Sequence, residues 1–178
     1  MARRIVYLGG TIGGLTYTEA SDPRNYATNL LLKRGWDVLD PMRGYEILST
    51  LESIEEGEQV QELLGVTDTA ITQRDRDDIR RSNVLLIFSG DRATWGTAFE
   101  WEFAVTLGKP VVVICAPDSQ TRHHPWCRTM ASYFAADVDE AIDFIDRWLD
   151  RGYQTCVEPC RQFRLLVGDT PGVSYARE

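Results

Sequence analysis

The chain has 178 residues, of which 43% are hydrophobic and 26% are charged, and its formal net charge is −8. This is the size and composition of one globular domain with a proper core. The negative charge disfavours a surface that grips nucleic acid, because such a surface needs clustered lysine and arginine. No apolar run reaches the length of a membrane span and no signal peptide is recognised, so we expect a cytoplasmic protein that binds neither nucleic acid nor membranes.

The first predicted element is a short strand over residues 4–8, and the sequence GGTIGG follows it at residues 9–14. A glycine-rich turn at the carboxyl end of a strand lets a ligand approach backbone N–H groups. The turn does not contain the G-x-G-x-x-G pattern, which argues against a dinucleotide site.

A helix and a second strand are expected next. Asp22 followed by Pro23 is typical of a helix start, and Gly35 is typical of its end, so the predicted helix covers residues 22–34. Residues 36–40 have the pattern of a strand. Residues 42–68 are irregular, and the acidic run that begins at Leu51 predicts either a solvated surface helix or a lid over a ligand site.

The predicted helix over residues 69–82 carries an aspartate on its inward face. Ile71, Asp75 and Ile79 are four residues apart and share that face, whereas Asp77 and Asp78 are assigned to solvent. An inward carboxylate needs a partner or a task. Its partner is expected to be a neighbouring arginine on the same helix or a helix cap.

The following stretch predicts a strand over residues 83–88, a helix that ends at Gly108 and a strand over 111–114. This is a βαβ crossover, and open α/β sheets bind ligands where the loop leaves the first strand. Glu100 is expected in the first turn of the helix. There it can be the acidic member of a capping box that begins at Thr97, or a nucleophile aimed at a ligand, and the segment alone leaves both roles open.

The remaining chain carries fewer signals. Residues 117–130 are predicted to form a polar loop, and residues 138–149 an amphipathic helix with Ala141, Ile142 and Ile145 inward. The histidines of that loop and the four cysteines of the chain match no metal-ligand spacing, so no metal site is predicted. Residues 153–178 are expected to form an extension that packs on the domain or on a neighbouring subunit.

Three segments occur in a characteristic order: YLGGTI at residues 7–12, Arg74-Asp75 eight residues before a strand, and GTAFE at 96–100 leading to GKPV at 108–111. Together they resemble the nucleoside 2-deoxyribosyltransferase family, whose relatives include the 2'-deoxynucleoside 5'-phosphate N-hydrolases. The resemblance implies a single doubly wound α/β domain over residues 1–152. Its fold would be Rossmann-like and flavodoxin-like, with a parallel sheet of about five strands flanked by helices.

The resemblance also implies roles for particular residues. Glu100 would be the nucleophile, Tyr7 would orient it, and Asp75 would contact the reacting nucleoside. A carboxylate below the sugar stabilises positive charge at C1' and can trap it covalently, and no metal or organic cofactor is required. The residues expected to bind substrate are Gly10, Thr11, Ile12, Thr94 and Gly96.

The sequence departs from its relatives at the substrate's 5' end. Thr94 stands where the transferases carry an aspartate and the phosphate-accepting hydrolases a serine, and a hydroxyl there can hold a phosphate. Gly13, in contrast, stands where those hydrolases carry an arginine.

The predicted function is therefore transfer of deoxyribose from a 2'-deoxynucleoside to a free nucleobase. Hydrolysis of deoxynucleoside 5'-monophosphates is the first alternative, and a non-catalytic nucleotide-binding module is the second. Relatives complete their sites with residues of a neighbouring subunit, and aromatic residues are common at interfaces. A homo-oligomer is expected for these two reasons, with Trp95, Trp101, Phe103 and Trp126 as the aromatic surface.

Overall fold

The computed structural model describes residues 4–54, 58–90 and 94–150. Its strands are β1 (Ile5–Gly10), β2 (Asp37–Leu39), β3 (Val84–Phe88), β4 (Val111–Ile114) and β5 (Tyr133–Ala135). Its α-helices are α1 (Tyr17–Lys33), α2 (Glu58–Leu64), α3 (Asp68–Arg81), α4 (Trp95–Thr106), α5 (Gln120–His123), α6 (Pro125–Met130) and α7 (Val138–Asp150), and a 3-10 helix covers Glu46–Thr50.

The five strands form one parallel sheet in the order β2-β1-β3-β4-β5. Residues alternate between the two faces of a strand, so Val6 and Leu8 pack into the core with α1 and α7, whereas Tyr7 packs into the core with α3 and α4. Chain order reverses between β1 and β3, which is where such sheets bind ligands. The predicted fold class, a single doubly wound α/β domain, is confirmed.

Helix α1 begins earlier than the sequence predicted. Thr16 caps the helix: its hydroxyl accepts from the Glu19 N–H at 3.1 Å, and the Glu19 carboxylate accepts from the Thr16 N–H at 2.8 Å. The predicted start at Asp22 is therefore wrong. Pro23 lies inside the helix, and because it has no N–H it cannot donate to the carbonyl of Glu19.

The irregular region after β2 is hydrogen-bonded through its backbone to the end of the glycine-rich turn. Gly14 donates its N–H to the carbonyl of Ile54, and Ile54 donates to Leu15, both at 2.7 Å. Ile54 also packs in a small core with Met42 and Leu48. Residues 51–54 are not helical, so the helix predicted to begin at Leu51 is wrong there. The residues between Ile54 and α2 lie outside the described part.

Helix α3 has the predicted position, but its Asp78 is buried and does not face solvent as predicted. Asp78 is only 3% exposed and forms ion pairs with Arg43 at 2.5 Å and Arg81 at 3.2 Å. Its assignment to solvent is wrong because it is adjacent to the inward Ile79 and meets an arginine from the loop after β2. A carboxylate buried at this depth needs such partners.

The segment after β4 is more regular than predicted. The expected loop over residues 117–130 contains the short helices α5 and α6, and β5, which no sequence signal indicated, adds the last strand beside β4. In α7 the buried residues include Ala141, Ile142 and Ile145, as predicted. The predicted extension over residues 153–178 lies outside the described residues. None of the described helices is long and apolar enough to cross a membrane.

Candidate active site

The hydroxyl of Tyr7 donates a hydrogen bond of 2.5 Å to Oε1 of Glu100. Tyr7 lies on the central strand β1 and is fully buried, and Glu100 lies on α4, 93 positions later in the chain. The contact forms because β1 turns this tyrosine toward the α4 side of the sheet. The structure thus brings together two of the three residues that the sequence predicted to be catalytic.

The glycine-rich turn closes around the same carboxylate. The N–H of Gly10 donates to Oε2 of Glu100 at 3.4 Å. A Cβ added to Gly9 would lie 2.8 Å from that oxygen and 2.6 Å from Ile87. A Cβ added to Gly10, whose φ is +124°, would lie 2.2 Å from the carbonyl oxygen of Phe88. Only glycine fits at position 10, and a side chain at position 9 would displace Ile87 or the Glu100 carboxylate, so these glycines let the backbone approach the carboxylate closely.

Helix α4 is capped by Thr94 and not by Thr97. The Thr94 hydroxyl accepts from the N–H of Thr97 at 3.4 Å and is hydrogen-bonded to the Thr97 hydroxyl at 2.9 Å. Glu100 is the sixth residue of the helix and therefore lies in its second turn, not in its first. The capping-box interpretation of Glu100 is wrong. Its carboxylate is directed at β1 and does not cap the helix. Gly96, a predicted binding residue, is exposed near the start of α4.

Burial raises the pKa of Glu100 to about 7, and repulsion from the Asp75 carboxylate adds to this effect. The hydrogen bonds from Tyr7 and Gly10 and the positive charge of Arg24 act in the opposite direction, because they stabilise the ionised form. The pKa of Tyr7 is raised well above its ordinary value, first by burial and then by the charge of Glu100. Tyr7 therefore stays protonated and donates, while Glu100 changes its charge near neutral pH.

Asp75 lies on α3, close enough for its charge to act on Tyr7 and Glu100, and is held by Arg74. Both Nε and Nη2 of Arg74 donate to one oxygen of Asp75, Oδ1, at 3.2 and 3.1 Å. Arg74 also donates to the carbonyl of Pro41 at 2.7 Å and lies over the ring of Tyr45 at 4.7 Å. Burial raises the pKa of Asp75, and the charge of Arg74 lowers it. The second oxygen of Asp75 is not used by Arg74.

Two further predicted binding residues make structural contacts. The N–H of Thr11 donates to the carbonyl of Phe88 at 3.1 Å, and the Thr11 hydroxyl is buried with no hydrogen-bond partner among the described residues. The side chain of Ile12 packs against the small core that contains Leu48 and Ile54. A role of either residue in substrate binding stays a prediction.

A buried arginine near the site was not predicted. Arg24 lies on α1 and is 1% exposed. The sequence signal that could have found it is the row Ala20, Arg24, Ala27 and Leu31, because three small or apolar residues at helical spacing put the arginine on the inward face.

A large open groove of about 1260 Å³ lies on the other side of α4, between that helix and the segment of α5 and α6. We call it the aromatic groove because it is lined by Trp95, Phe99 and Trp126, which are 82%, 70% and 67% exposed. Ala98 and Glu102 also line it, and each is two residues, or about 200°, from Glu100. The groove and the candidate nucleophile therefore lie on opposite faces of one helix. The groove also reaches Thr94 and the glycine-rich turn at Gly13 and Gly14, so it borders the turn that contacts Glu100.

Two of the aromatic residues assigned to an exposed surface are not exposed. Trp101 is fully buried in the core between the sheet and α4. Phe103 packs against the same core, with the guanidinium groups of Arg76 and Arg80 over its ring at 4.6 and 5.2 Å. Among the described residues, no group of three or more His, Cys, Asp or Glu side chains could hold a metal ion.

Solved structures of similar fold include an N-glycosidase, a Moco carrier protein and a molybdenum cofactor binding protein. The Clostridium botulinum CMP N-glycosidase BcmB is 14% identical, with a TM-score of 0.51 over 82% of this chain and 99% of its own. The Moco carrier protein from Chlamydomonas reinhardtii is 20% identical, with a TM-score of 0.56 over 84% and 99%. The molybdenum cofactor binding protein from Rippkaea orientalis is 15% identical, with a TM-score of 0.54 over 84% and 99%.

These likenesses show the fold alone, and no curated protein matches the chain at a significant level. The family model for nucleoside 2-deoxyribosyltransferase matches residues 6–159, a range that contains Tyr7, Asp75 and Glu100. The family predicted from the sequence is confirmed: the chain belongs to the nucleoside 2-deoxyribosyltransferase family.

Proposed function

We propose that this protein is a nucleoside 2-deoxyribosyltransferase that cleaves the N-glycosidic bond of 2'-deoxynucleosides through a covalent deoxyribosyl-Glu100 intermediate. The observation that carries the proposal is the hydrogen bond between Tyr7 and Glu100 at the point where the order of the strands reverses. A carboxylate held by a tyrosine and a backbone N–H has a fixed direction, which a nucleophile needs.

In the first half of the reaction, an ionised oxygen of Glu100 attacks C1' of the sugar. The C1'–O bond forms and the C1'–N bond breaks, so that its electron pair leaves with the base. The departing base takes up one proton, which comes from solvent and which we assign Asp75 to relay, its carboxylate being ionised in the free site. Arg74 holds Oδ1 of Asp75, which leaves Oδ2 for the base.

In the second half, a nitrogen of another nucleobase attacks C1' from the side that the first base left. The new C1'–N bond forms, the bond to Glu100 breaks, and the carboxylate recovers its electron pair. The incoming base loses its proton to the Asp75 carboxylate, which releases the proton to solvent and returns to its starting state. Attack by water in place of a base would make the protein a hydrolase, with the same roles for Tyr7 and Glu100.

The N-terminus of α4 favours one alternative substrate. Helix α4 has 12 residues and begins beside the crevice, and the first N–H groups of a helix suit an anion such as a 5'-phosphate. Its cap, Thr94, is a hydroxyl and would not repel a phosphate. Gly13 supplies no positive charge, so we place unphosphorylated nucleosides first and 2'-deoxynucleoside 5'-monophosphates second.

Base release from a panel of 2'-deoxynucleosides and their 5'-monophosphates tests these readings. Each substrate is incubated with and without a free acceptor base, and the products are separated by chromatography. We expect a new nucleoside to appear when the acceptor is present. Free base without an acceptor would indicate hydrolysis. Binding of substrate without any bond cleavage would contradict the proposal and favour a non-catalytic carrier.

A further inference from the structure

An arginine is buried directly behind the candidate active site. The side chain of Arg24 on α1 is 1% exposed, and its Nη1 and Nη2 atoms donate to the carbonyls of Ala20 at 2.5 Å and Thr11 at 3.3 Å. The guanidinium lies 5.3 Å from the centre of the Phe88 ring. Its Nε has no hydrogen-bond partner among the described residues.

The positive charge of Arg24 is only partly matched by its neighbours. The one carboxylate in ion-pair range among the described residues is that of Asp40, whose Oδ1 is 4.0 Å from Nε. A buried charge without a close partner is costly, so the position is expected to serve more than packing. Burial lowers the pKa of Arg24, while the charges of Asp40 and Glu100 raise it. The guanidinium is therefore within electrostatic reach of the candidate nucleophile.

A short chain of contacts joins the two residues. Arg24 holds the carbonyl of Thr11, the N–H of Thr11 is held by Phe88, and the preceding N–H, that of Gly10, donates to Glu100. The guanidinium of Arg24 thus holds the turn at Thr11, and the same turn contacts the Glu100 carboxylate through Gly10.

We propose that Arg24 is a positioning residue for Glu100: it fixes the turn that presents the Gly10 N–H to the carboxylate, and its charge keeps the carboxylate ionised. This inference rests on the proposed role of Glu100 as nucleophile. The proposal contains a geometric effect, the fixing of the turn, and an electrostatic effect of the positive charge. Different substitutions of Arg24 separate the two effects. A lysine would keep the charge, and a glutamine would keep much of the length but not the charge.

The other groups that face Glu100 make the direction of the effect clear. Tyr7 on β1 donates a hydrogen bond, and Asp75 on α3 adds a negative charge. Asp40, after β2, has its Oδ1 4.0 Å from Nε of Arg24. Arg74 is ion-paired with Asp75 at 3.1 Å and only reduces that negative charge, so removal of Arg24 should raise the pKa of Glu100.

The test is a side-chain NMR titration of Glu100 in full-length protein labelled with ¹³C-glutamate, with the signal assigned by its absence in Glu100→Gln. We expect Arg24→Gln to raise the midpoint by about one pH unit, a tenfold change in proton affinity. Arg24→Lys should keep the midpoint close to that of the wild type. Arg34→Gln is the matched control, because Arg34 also lies on α1 and bridges Asp143 and Asp146 on α7, away from the site.

A second variant gives the opposite sign and does not disturb Arg24 itself. Asp40→Asn removes the negative charge beside the guanidinium, so the midpoint of Glu100 should fall. This variant also keeps the proposal testable if Arg24→Gln does not fold. The inference is overturned if Arg24→Gln lowers the melting temperature but leaves the Glu100 midpoint unchanged. It is also overturned if Asp40→Asn fails to lower the Glu100 midpoint.

Catalysis supplies an independent readout. The acid limb of the pH profile of kcat/KM should move upward with the NMR midpoint in Arg24→Gln and stay in place in Arg24→Lys. If Glu100→Gln retained full activity, the proposed function would fail, but the NMR titration would still decide whether Arg24 controls the ionisation of Glu100.

Discussion

Glu100 is subject to two opposing demands. A nucleophilic carboxylate has to be ionised, yet burial raises its pKa to about 7. The hydrogen bonds from Tyr7 and Gly10 oppose the effect of burial without cancelling it. About half of the molecules would carry the anion at neutral pH, and a desolvated anion is more reactive than a hydrated one. The activity of the enzyme is therefore expected to fall steeply as the pH drops below about 7.

The first prediction concerns Glu100→Gln. The amide keeps the volume of the side chain but cannot act as an anionic nucleophile, so we expect activity to fall by several orders of magnitude with the fold intact. Turnover and circular dichroism measure the two effects. The control is Glu102→Gln on the same helix, which is exposed and should keep its activity. A Glu100→Gln enzyme with a tenth of wild-type turnover would refute the assignment.

The second prediction concerns Tyr7→Phe. The substitution removes the 2.5 Å hydrogen bond that favours the ionised carboxylate, so the pKa of Glu100 should rise above about 7. We expect the acid limb of kcat/KM to move to higher pH and part of the lost activity to return in alkaline buffer. The pH profile measures this shift. A uniform loss at every pH would show that Tyr7 acts only by orienting the carboxylate.

The third prediction links the same carboxylate to stability. Its pKa is about 7 in the folded protein against 4.5 ordinarily. Between these values the unfolded state has released the proton and the folded state still holds it, so the free energy of unfolding falls as pH rises through this window and is constant above it. A shift of this size amounts to at most roughly 3 kcal/mol.

Glu100→Gln has no such proton to lose. Its stability relative to the wild type should therefore increase from about pH 5 to about pH 8, and the variant can become the more stable protein at the higher pH. Urea denaturation of both proteins across this range measures the difference. A constant difference at all pH values would mean that Glu100 ionises in the folded protein as it does in water.

At the scale of elements, the start of α4 brings two functions together. Thr94 caps the helix through Thr97. The resemblance to the family predicts that the same residue contacts the 5' end of the substrate. Aspartate is as good a helix cap as threonine. A substitution here can therefore change the charge beside the ligand without destabilising the helix.

The fourth prediction uses this equivalence. Thr94→Asp should lower kcat/KM for deoxynucleoside 5'-monophosphates by about ten- to a hundredfold more than for deoxynucleosides, because like charges repel in a partly enclosed site. Thr94→Ser, which keeps a capping hydroxyl, is the control and should preserve the ratio of the two substrates. An equal loss on both substrates would place the 5' end elsewhere and would require a new alignment of this loop.

Hydrophobic periodicity and glycine stops predicted those elements whose signals lie within the element itself. The apolar runs at β3 and β4, the stop at Gly108 and the apolar row of α7 are all where periodicity placed them. Strand β5 has three residues, too few for an alternating pattern to register. The start of α1 was misplaced because Asp22-Pro23 was preferred to the capping box between Thr16 and Glu19.

The candidate site was predictable only in part, for a related reason. The family resemblance predicted catalytic roles for Tyr7, Asp75 and Glu100, and the structure brings Tyr7 into contact with Glu100. The segment alone also allowed Glu100 a capping role, which its position in the second turn rules out. Burial of Asp78 depends on Arg43, which belongs to the loop after β2, and no pattern within α3 contains that partner.

At the scale of the molecule, Tyr7 and Glu100 lie on one face of α4, under the glycine-rich turn, and the aromatic groove lies on the other face. The groove also borders that turn at Gly13 and Gly14. Three large aromatic side chains as exposed as Trp95, Phe99 and Trp126 are unusual in one patch of a monomer. Such a patch is typical of a surface that is covered by another chain.

The fifth prediction is that the protein is a homo-oligomer, at least a dimer, associated through the aromatic groove. Light scattering at micromolar concentration should give a multiple of the 20.2 kDa chain mass. Phe99→Glu should shift the mass toward the monomer, because a charge would be buried in the contact. The control is Leu32→Glu, which alters an exposed apolar residue on α1. A monomeric wild type would contradict the prediction.

The position of α4 between the two surfaces has a thermodynamic consequence. A helix moves largely as one body, so a small rotation that improves the contacts of Glu100 also displaces Trp95 and Phe99 on its opposite face. Ligand affinity in the crevice and occupancy of the groove would then be linked, and linkage is reciprocal. If a molecule bound in the groove changes the affinity for nucleoside by some factor, a bound nucleoside must change the affinity for that molecule by the same factor.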